Sequence, residues 1–183
     1  TDCGLLTCAE NIGADATAVF NMLSGYSEPR TWNKLIVAPI WMRKHFISLI
    51  DREIKHANDG EEAMIIAKMN SLCDKEMIEK LYEASKAGVK ISLIVRGICC
   101  LKTGIPGISE NIYVTSIVGN YLEHARIFYF FNKGQEEVYM GSADWMPRNL
   151  DKRAGVRPQD TPDKEGEHTD RRQGRCTSLA KRP

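Results

Sequence analysis

Ala63–Val95, AMIIAKMNSLCDKEMIEKLYEASKAGVKISLIV, carries the fold in its pattern. Ala63 to Met69 is an apolar run of strand length, too short for a buried helix. Asp74 then suits the N-cap of a helix over Lys75 to Ala87, because its carboxylate can accept from an otherwise unpaired backbone N–H. Met77, Ile78, Leu81, Tyr82 and Ala84 recur at helical spacing, and Gly88 supplies the stop. Val89 to Val95 is a second apolar strand. Upstream, Lys34 to Ala38 reads as a short strand closed by Pro39. Trp41 to Ala57 reads as an amphipathic helix with Phe46, Ile47, Leu49, Ile50 and Ile54 inward, turned by Asn58-Asp59-Gly60. Strand, helix, strand, helix, strand predicts right-handed crossovers and parallel pairing. Arg96 and Gly97 fall just past the last of these strands, the end at which open α/β sheets bind ligands.

Downstream, Leu101 to Glu110 is a Gly- and Pro-containing loop. Ile112 to Val118, Arg126 to Phe131 and Glu137 to Met140 add three strands, the last two joined as an antiparallel hairpin by Asn132-Lys133-Gly134. At the front, Cys3, Leu5 and Leu6 suit the end of a strand whose sheet lies upstream, and a first residue other than Met suggests a piece of something longer. Ile12 to Leu23 is a helix stopped at Gly25, and Ser27 to Thr31 is a linker by composition. The expected organisation is 1–26 as the end of a preceding domain, 27–33 as linker, 34–153 as an α/β domain and 154–183 as a tail. That tail has no aromatic residue, three of the seven prolines and charges without a period, so it is expected to be disordered.

Formal net charge is +1, which marks neither a nucleic-acid binder nor a membrane binder. Residues 151–183 hold nine Lys/Arg and six Asp/Glu, leaving 16 against 18 in the first 150. A polyanion site in the body therefore needs a local cluster of cations. Cys3, Cys8, Cys73, Cys99, Cys100 and Cys176 form no repeated Cys-x-x-Cys, which favours reduced thiols over zinc. No apolar run is long enough to span a bilayer and no signal peptide is present, so a soluble cytoplasmic protein is expected.

His124 and Arg126 stand two apart at the head of a strand. In extended backbone they share a face and could both reach one anion. The alternative for His124 is a structural histidine. As a functional group, an imidazole can donate a hydrogen bond or a proton to a phosphoryl oxygen near neutral pH. Gly141-Ser142-Ala143-Asp144 ends the next strand in small residues that let backbone N–H groups and the Ser142 hydroxyl approach an anion. Arg96 is either a paired structural charge or a phosphate clamp. Asp144, Arg148 and Asn149 form a polar cluster or a solvated turn closed by Trp145 and Pro147. His45, His56 and His168 read as surface residues, and Phe128, Tyr129, Phe130 and Phe131 as core strand.

His124-x-Arg126 with Gly141-Ser142-x-Asp144 resembles the His-x-Lys and Gly-Ser-x-Asn motif of the phospholipase D superfamily, Arg126 standing in the Lys place and Asp144 in the Asn place. Longer blocks resemble the C-terminal region of the polyphosphate kinase 1 family. They are NSLCDKEMIEKLYEASKAGVKISLIVRGICCLKTGIPGISENI (70–112), SIVGNYLEHARIFYF (116–130), VYMGSADWMPRNLDKR (138–153) and the opening TDCGLLTCAENIGADATAVFNMLSGY (1–26). The resemblance runs in order over about residues 1–153 and is weakest between Gly25 and Gly60. The tail departs from it, as a foreign or out-of-frame continuation would.

The resemblance implies a phospholipase D-like α/β fold, a mixed sheet with flanking helices. It implies reversible transfer of the ATP γ-phosphate to polyphosphate through a phosphohistidine upstream of this chain. Mg²⁺ would be bound mainly by that upstream part, and ATP, ADP and polyphosphate would be the substrates. His124 is then a catalytic and ATP-binding residue, with Arg96 and Arg126 as phosphate ligands. Ser142 and Asp144 orient the histidine, and Arg148 and Asn149 support the site. No nucleic-acid partner follows; a homo-oligomer, cytoplasmic or membrane-associated, is expected of the full-length family. A chain holding half of such a site is expected to be inactive alone. The alternatives are a phospholipase D-type phosphodiesterase that dimerises to pair two copies of His124, and a polyanion-binding module without turnover.

Overall fold

A computed structural model describes residues 3–39 and 41–151, with the backbone alone of 178–181. The elements in chain order are α1 (Glu10–Leu23), β1 (Leu35–Val37), α2 (Met42–Asn58), β2 (Met64–Met69), α3 (Lys75–Lys86), β3 (Lys90–Val95), β4 (Ile112–Thr115), β5 (Arg126–Phe130), β6 (Glu137–Gly141), α4 (Pro147–Leu150) and β7 (Ser178–Lys181). The strands form one mixed sheet in the order β1-β7-β6-β5-β2-β3-β4. β2, β3 and β4 are parallel, while β5 lies antiparallel to both β2 and β6.

The strand–helix–strand unit forms as its pattern dictates. Asp74 caps α3 by accepting from the Met77 N–H at 3.0 Å, and Gly88 leaves the helix at positive φ. Ile65, Ala67 and Met69 of β2 point to one face with Ile91, Leu93 and Val95 of β3 and with Phe128 and Phe130 of β5. On that face α2 lays Phe46, Leu49 and Ile50, and α3 lays Met77 and Leu81. Phe46 sits 4.6 Å from Phe128 and 5.3 Å from Trp145, centroid to centroid, and Phe128 stacks on Trp145 at 5.1 Å. The other face is left more open: Ile66 and Ile127 are each 37% exposed.

The hairpin turn is also as expected, since Asn132, Lys133 and Gly134 all take positive φ and join β5 to β6. Three features differ from the reading of the sequence. β1 does not sit beside β2; it pairs antiparallel with β7 at the far edge. The strand expected over Ile112 to Val118 ends at Thr115. Ser178–Lys181 pairs with β1 and β6 and so satisfies two edges at once, although its composition predicts no order; the rest of the expected disordered tail lies outside the described residues. His45 and His56 are half-buried, His45 against Tyr139 at 5.4 Å, while His168 lies outside the described residues.

α1 is tied to the sheet by one carboxylate. Asp15 is buried and accepts from the backbone N–H groups of Asn33, Lys34 and Leu35 and from the Asn33 amide, at 2.6–3.0 Å. Burial alone pushes its pKa up, and these donors together outweigh it and hold the group below the ordinary carboxylate range.

Candidate phosphate site

The sequence-predicted residues gather where β2 and β3 end and β5 begins. Register sets this out. Met69 pairs with Val95, so Asn70 and Arg96 follow side by side past the strand ends. Lys68 pairs with Ile127 in the antiparallel direction, which brings Ala125 and His124 alongside the continuation of β2. Arg96 and the His124 segment thus flank residues 70 and 71 from either side. Gly97 makes the close approach possible: its N–H donates to the Asn70 carbonyl at 2.8 Å, and a Cβ there would lie 2.9 Å from that oxygen.

Arg126 is not an open phosphate ligand in this structure. It is 6% exposed, and its Nε and Nη2 donate to the two carboxylate oxygens of Asp144 at 2.9 and 2.8 Å, a bidentate pair. Its Nη1 donates to the His124 carbonyl. Asp144 also accepts from the Asn70 N–H at 2.7 Å and the Ser71 N–H at 3.1 Å. Burial pushes the Asp144 pKa up, and Arg126 with these N–H groups outweighs it and holds the carboxyl below the usual range. Asp144 fixes Arg126, and Arg126 fixes the backbone at His124.

Arg96 differs. It is half-buried, and among the described residues it enters no ion pair, unlike Arg43, Arg52 and Arg126. Its backbone is held by Met69 and by the Ser116 hydroxyl. His124 is half-buried in the non-repetitive segment before β5. Ser142, next to the Gly141 that pairs with Arg126, is half-buried. Asn149 donates from Nδ2 to the Asp144 carbonyl at 3.0 Å and so supports the loop, while Arg148 on α4 is exposed.

Two residues at this site escaped the sequence reading. Lys68 donates from Nζ to the carbonyls of Glu123 and Ala125, at 3.0 and 2.6 Å. Its signal was a lysine inside an apolar strand. Asn70, between Arg96 and Ala125, has a buried Oδ1 with no hydrogen-bond partner among the described residues; a polar residue ending a buried strand was the only hint. Chemically, the site offers the Arg96 guanidinium, which enters no ion pair among the described residues, beside the His124 imidazole, which suits an oxyanion.

Residues 35–160 match the family model described as polyphosphate kinase C-terminal domain 2. The chain belongs to that family. It is 54% identical over 162 residues to a polyphosphate kinase of Thermosynechococcus vestitus, covering 88% of this chain and 22% of that protein. It is 58% identical over 156 residues to a polyphosphate kinase of Halalkalibacterium halodurans, covering 85% and 22%. The crystal structure of polyphosphate kinase from Porphyromonas gingivalis superposes with a TM-score of 0.78 at 40% identity, over 96% of this chain and 24% of that one. The chain thus spans under a quarter of the length of these polyphosphate kinases.

Among the described residues no helix is long and apolar enough to cross a membrane. Nor do the described residues hold a group of three or more His, Cys, Asp or Glu side chains close enough to share a metal ion.

Proposed function

We propose that this chain is the C-terminal part of a polyphosphate kinase and supplies one side of the site that passes phosphoryl groups between ATP and polyphosphate. Arg96 is the phosphate clamp. Its guanidinium presents several N–H donors in a planar fork and is not occupied by a carboxylate, so it can meet two phosphate oxygens at once. His124 is the second contact, a donor to a phosphoryl oxygen whose charge grows during transfer. Arg126 and Asp144 keep the His124 segment in place without touching substrate. The phosphohistidine and the Mg²⁺ ligands would belong to the longer protein, so this chain alone binds but does not turn over.

The observation that carries this reading is the placing of an arginine that enters no ion pair among the described residues one strand away from the His124 segment, in a chain that belongs to the polyphosphate kinase family. The test is to mix this chain with the upstream portion of its parent protein and follow polyphosphate formation from ATP. Synthesis that requires both parts, and falls at least tenfold in Arg96→Ala or His124→Ala, is expected. Full synthesis with Arg96→Ala would overturn the assignment. Hydrolysis of a phosphodiester by this chain alone, lost in His124→Ala, would favour the diesterase instead.

A further inference from the structure

We infer that Lys68 is a positioning residue for His124, gripping the backbone on both sides of it; its catalytic consequence rests on the function proposed above. Lys68 lies inside β2, in register with Ile94 and Ile127. Its side chain is 12% exposed, and its ammonium reaches past the strand to the segment before β5. There it donates to the carbonyl of Glu123 and, skipping one residue, to that of Ala125. The Glu123 carboxylate stands 3.9 Å away. The carbonyl between them, that of His124, receives the Arg126 guanidinium. Three consecutive carbonyls are thus each met by a cationic donor.

Such a grip has a use here. Residues 117–125 belong to no helix or strand, and Val118, Tyr121 and Leu122 within them are exposed, so regular structure does not fix the histidine. Backbone ladder bonds on β5 begin only at Arg126. An ammonium has three donors and no acceptor, which matches two carbonyls and a carboxylate. Keeping a cation at that place has a cost: burial, with Arg126 and Arg96 nearby, pushes the Lys68 pKa down against the pull of Glu123. An apolar side chain at this strand position would avoid that cost but would leave the Glu123 and Ala125 carbonyls without this donor. What lysine adds is a fixed backbone at His124, and a reacting group misplaced by about 1 Å can lose roughly a hundredfold in rate.

The test uses this chain, with Lys68→Met and Lys68→Arg variants, and two measurements. Amide hydrogen exchange at peptide resolution reads the segment directly, and titration with tripolyphosphate reads the site. Lys68→Met is expected to speed exchange in residues 122–126 about tenfold while the amides of β3 keep their protection. It is expected to weaken tripolyphosphate binding about tenfold, and Lys68→Arg to restore most of both. Unchanged exchange in 122–126, or exchange raised equally across β2, β3 and β5, would overturn the inference. A lysine that merely contacts phosphate would change binding and leave exchange of the free chain alone, which also counts against it. If the unaltered chain binds no tripolyphosphate, the phosphate-site reading fails and the exchange measurement decides the role of Lys68 by itself. Should Lys68→Met not fold, Lys68→Arg still decides: its longer fork must keep the segment protected.

Discussion

The Arg126–Asp144 pair gives the sharpest prediction. Asp144→Asn keeps the side-chain shape and an acceptor oxygen for the Asn70 and Ser71 N–H groups, but removes the charge opposite a guanidinium that is 6% exposed. A buried cation stripped of its partner typically loses about 3–5 kcal/mol of stability. Total stability of a domain this size is about 5–15 kcal/mol, so the loss is a large fraction of it. Urea unfolding followed by tryptophan fluorescence suits the measurement, because Trp145 adjoins Asp144 in the chain and is buried. The midpoint should fall with little change in slope. The double variant Arg126→Gln/Asp144→Asn removes both charges and keeps donors and acceptors in place, so its deficit should shrink to about 1–2 kcal/mol. A single-variant loss under about 1 kcal/mol, or a double variant as unstable as the two singles added, would refute the reasoning.

The other predictions concern the frame around the site. Gly97→Ala should lower stability by about 1–3 kcal/mol, read by thermal melting, because its Cβ would lie 2.9 Å from a backbone oxygen that must move. Phe46→Ala should cost about 3–5 kcal/mol in the same urea assay, since it removes the ring packed between Phe128, Tyr139 and Trp145. For pH, the pKa values of Asp15, Asp74 and Asp144 are all depressed in the folded state. Each therefore adds stability above the unfolded carboxylate pKa of about 3.9, and that stability is lost as pH falls through the lower folded value. Circular dichroism should show a flat plateau from neutral to about pH 5 and cooperative loss below about pH 4. Unfolding centred between about pH 5 and pH 6 would contradict this linkage.

The elements themselves were legible because each carries its own punctuation. Asp74 and Gly88 bound α3, the alternation of Ile65, Ala67 and Met69 gives β2 a buried face, and the positive-φ run at Asn132 to Gly134 makes the hairpin. Pairing at the far edge was not legible, since β1 is followed in sequence by a helix and β2 yet lies beside β7, a choice made by which edges remain open. The pairing of Arg126 with Asp144 was not legible for a related reason. His124 and Arg126 two apart suggested a shared ligand, whereas the hairpin register places Gly141 opposite Arg126 and so brings Asp144 within reach of the guanidinium. Counting back from the turn would have exposed that carboxylate. Lys68 could not be placed from sequence, because the carbonyls it donates to carry no side-chain signal.

The cations near this site divide by what already holds them. Arg126 is closed on Asp144, and Lys68 is spent on the backbone beside His124. An anion arriving at either would have to displace a partner and leave a buried charge or carbonyl exposed, at a penalty comparable to the bond gained. Arg96 has no such partner among the described residues, so phosphate binding there need not break an existing ion pair. Because acidic residues outnumber basic ones in the first 150, no long-range field draws a polyanion in. On the function proposed above, attraction comes from Arg96 at short range, with Lys68 and Arg126 adding background charge while their donors stay engaged. Replacing Asp144 should loosen the frame that holds His124, whereas replacing Arg96 should remove only the phosphate contact proposed for it and leave that frame standing, so stability and binding should respond to different residues of one small cluster.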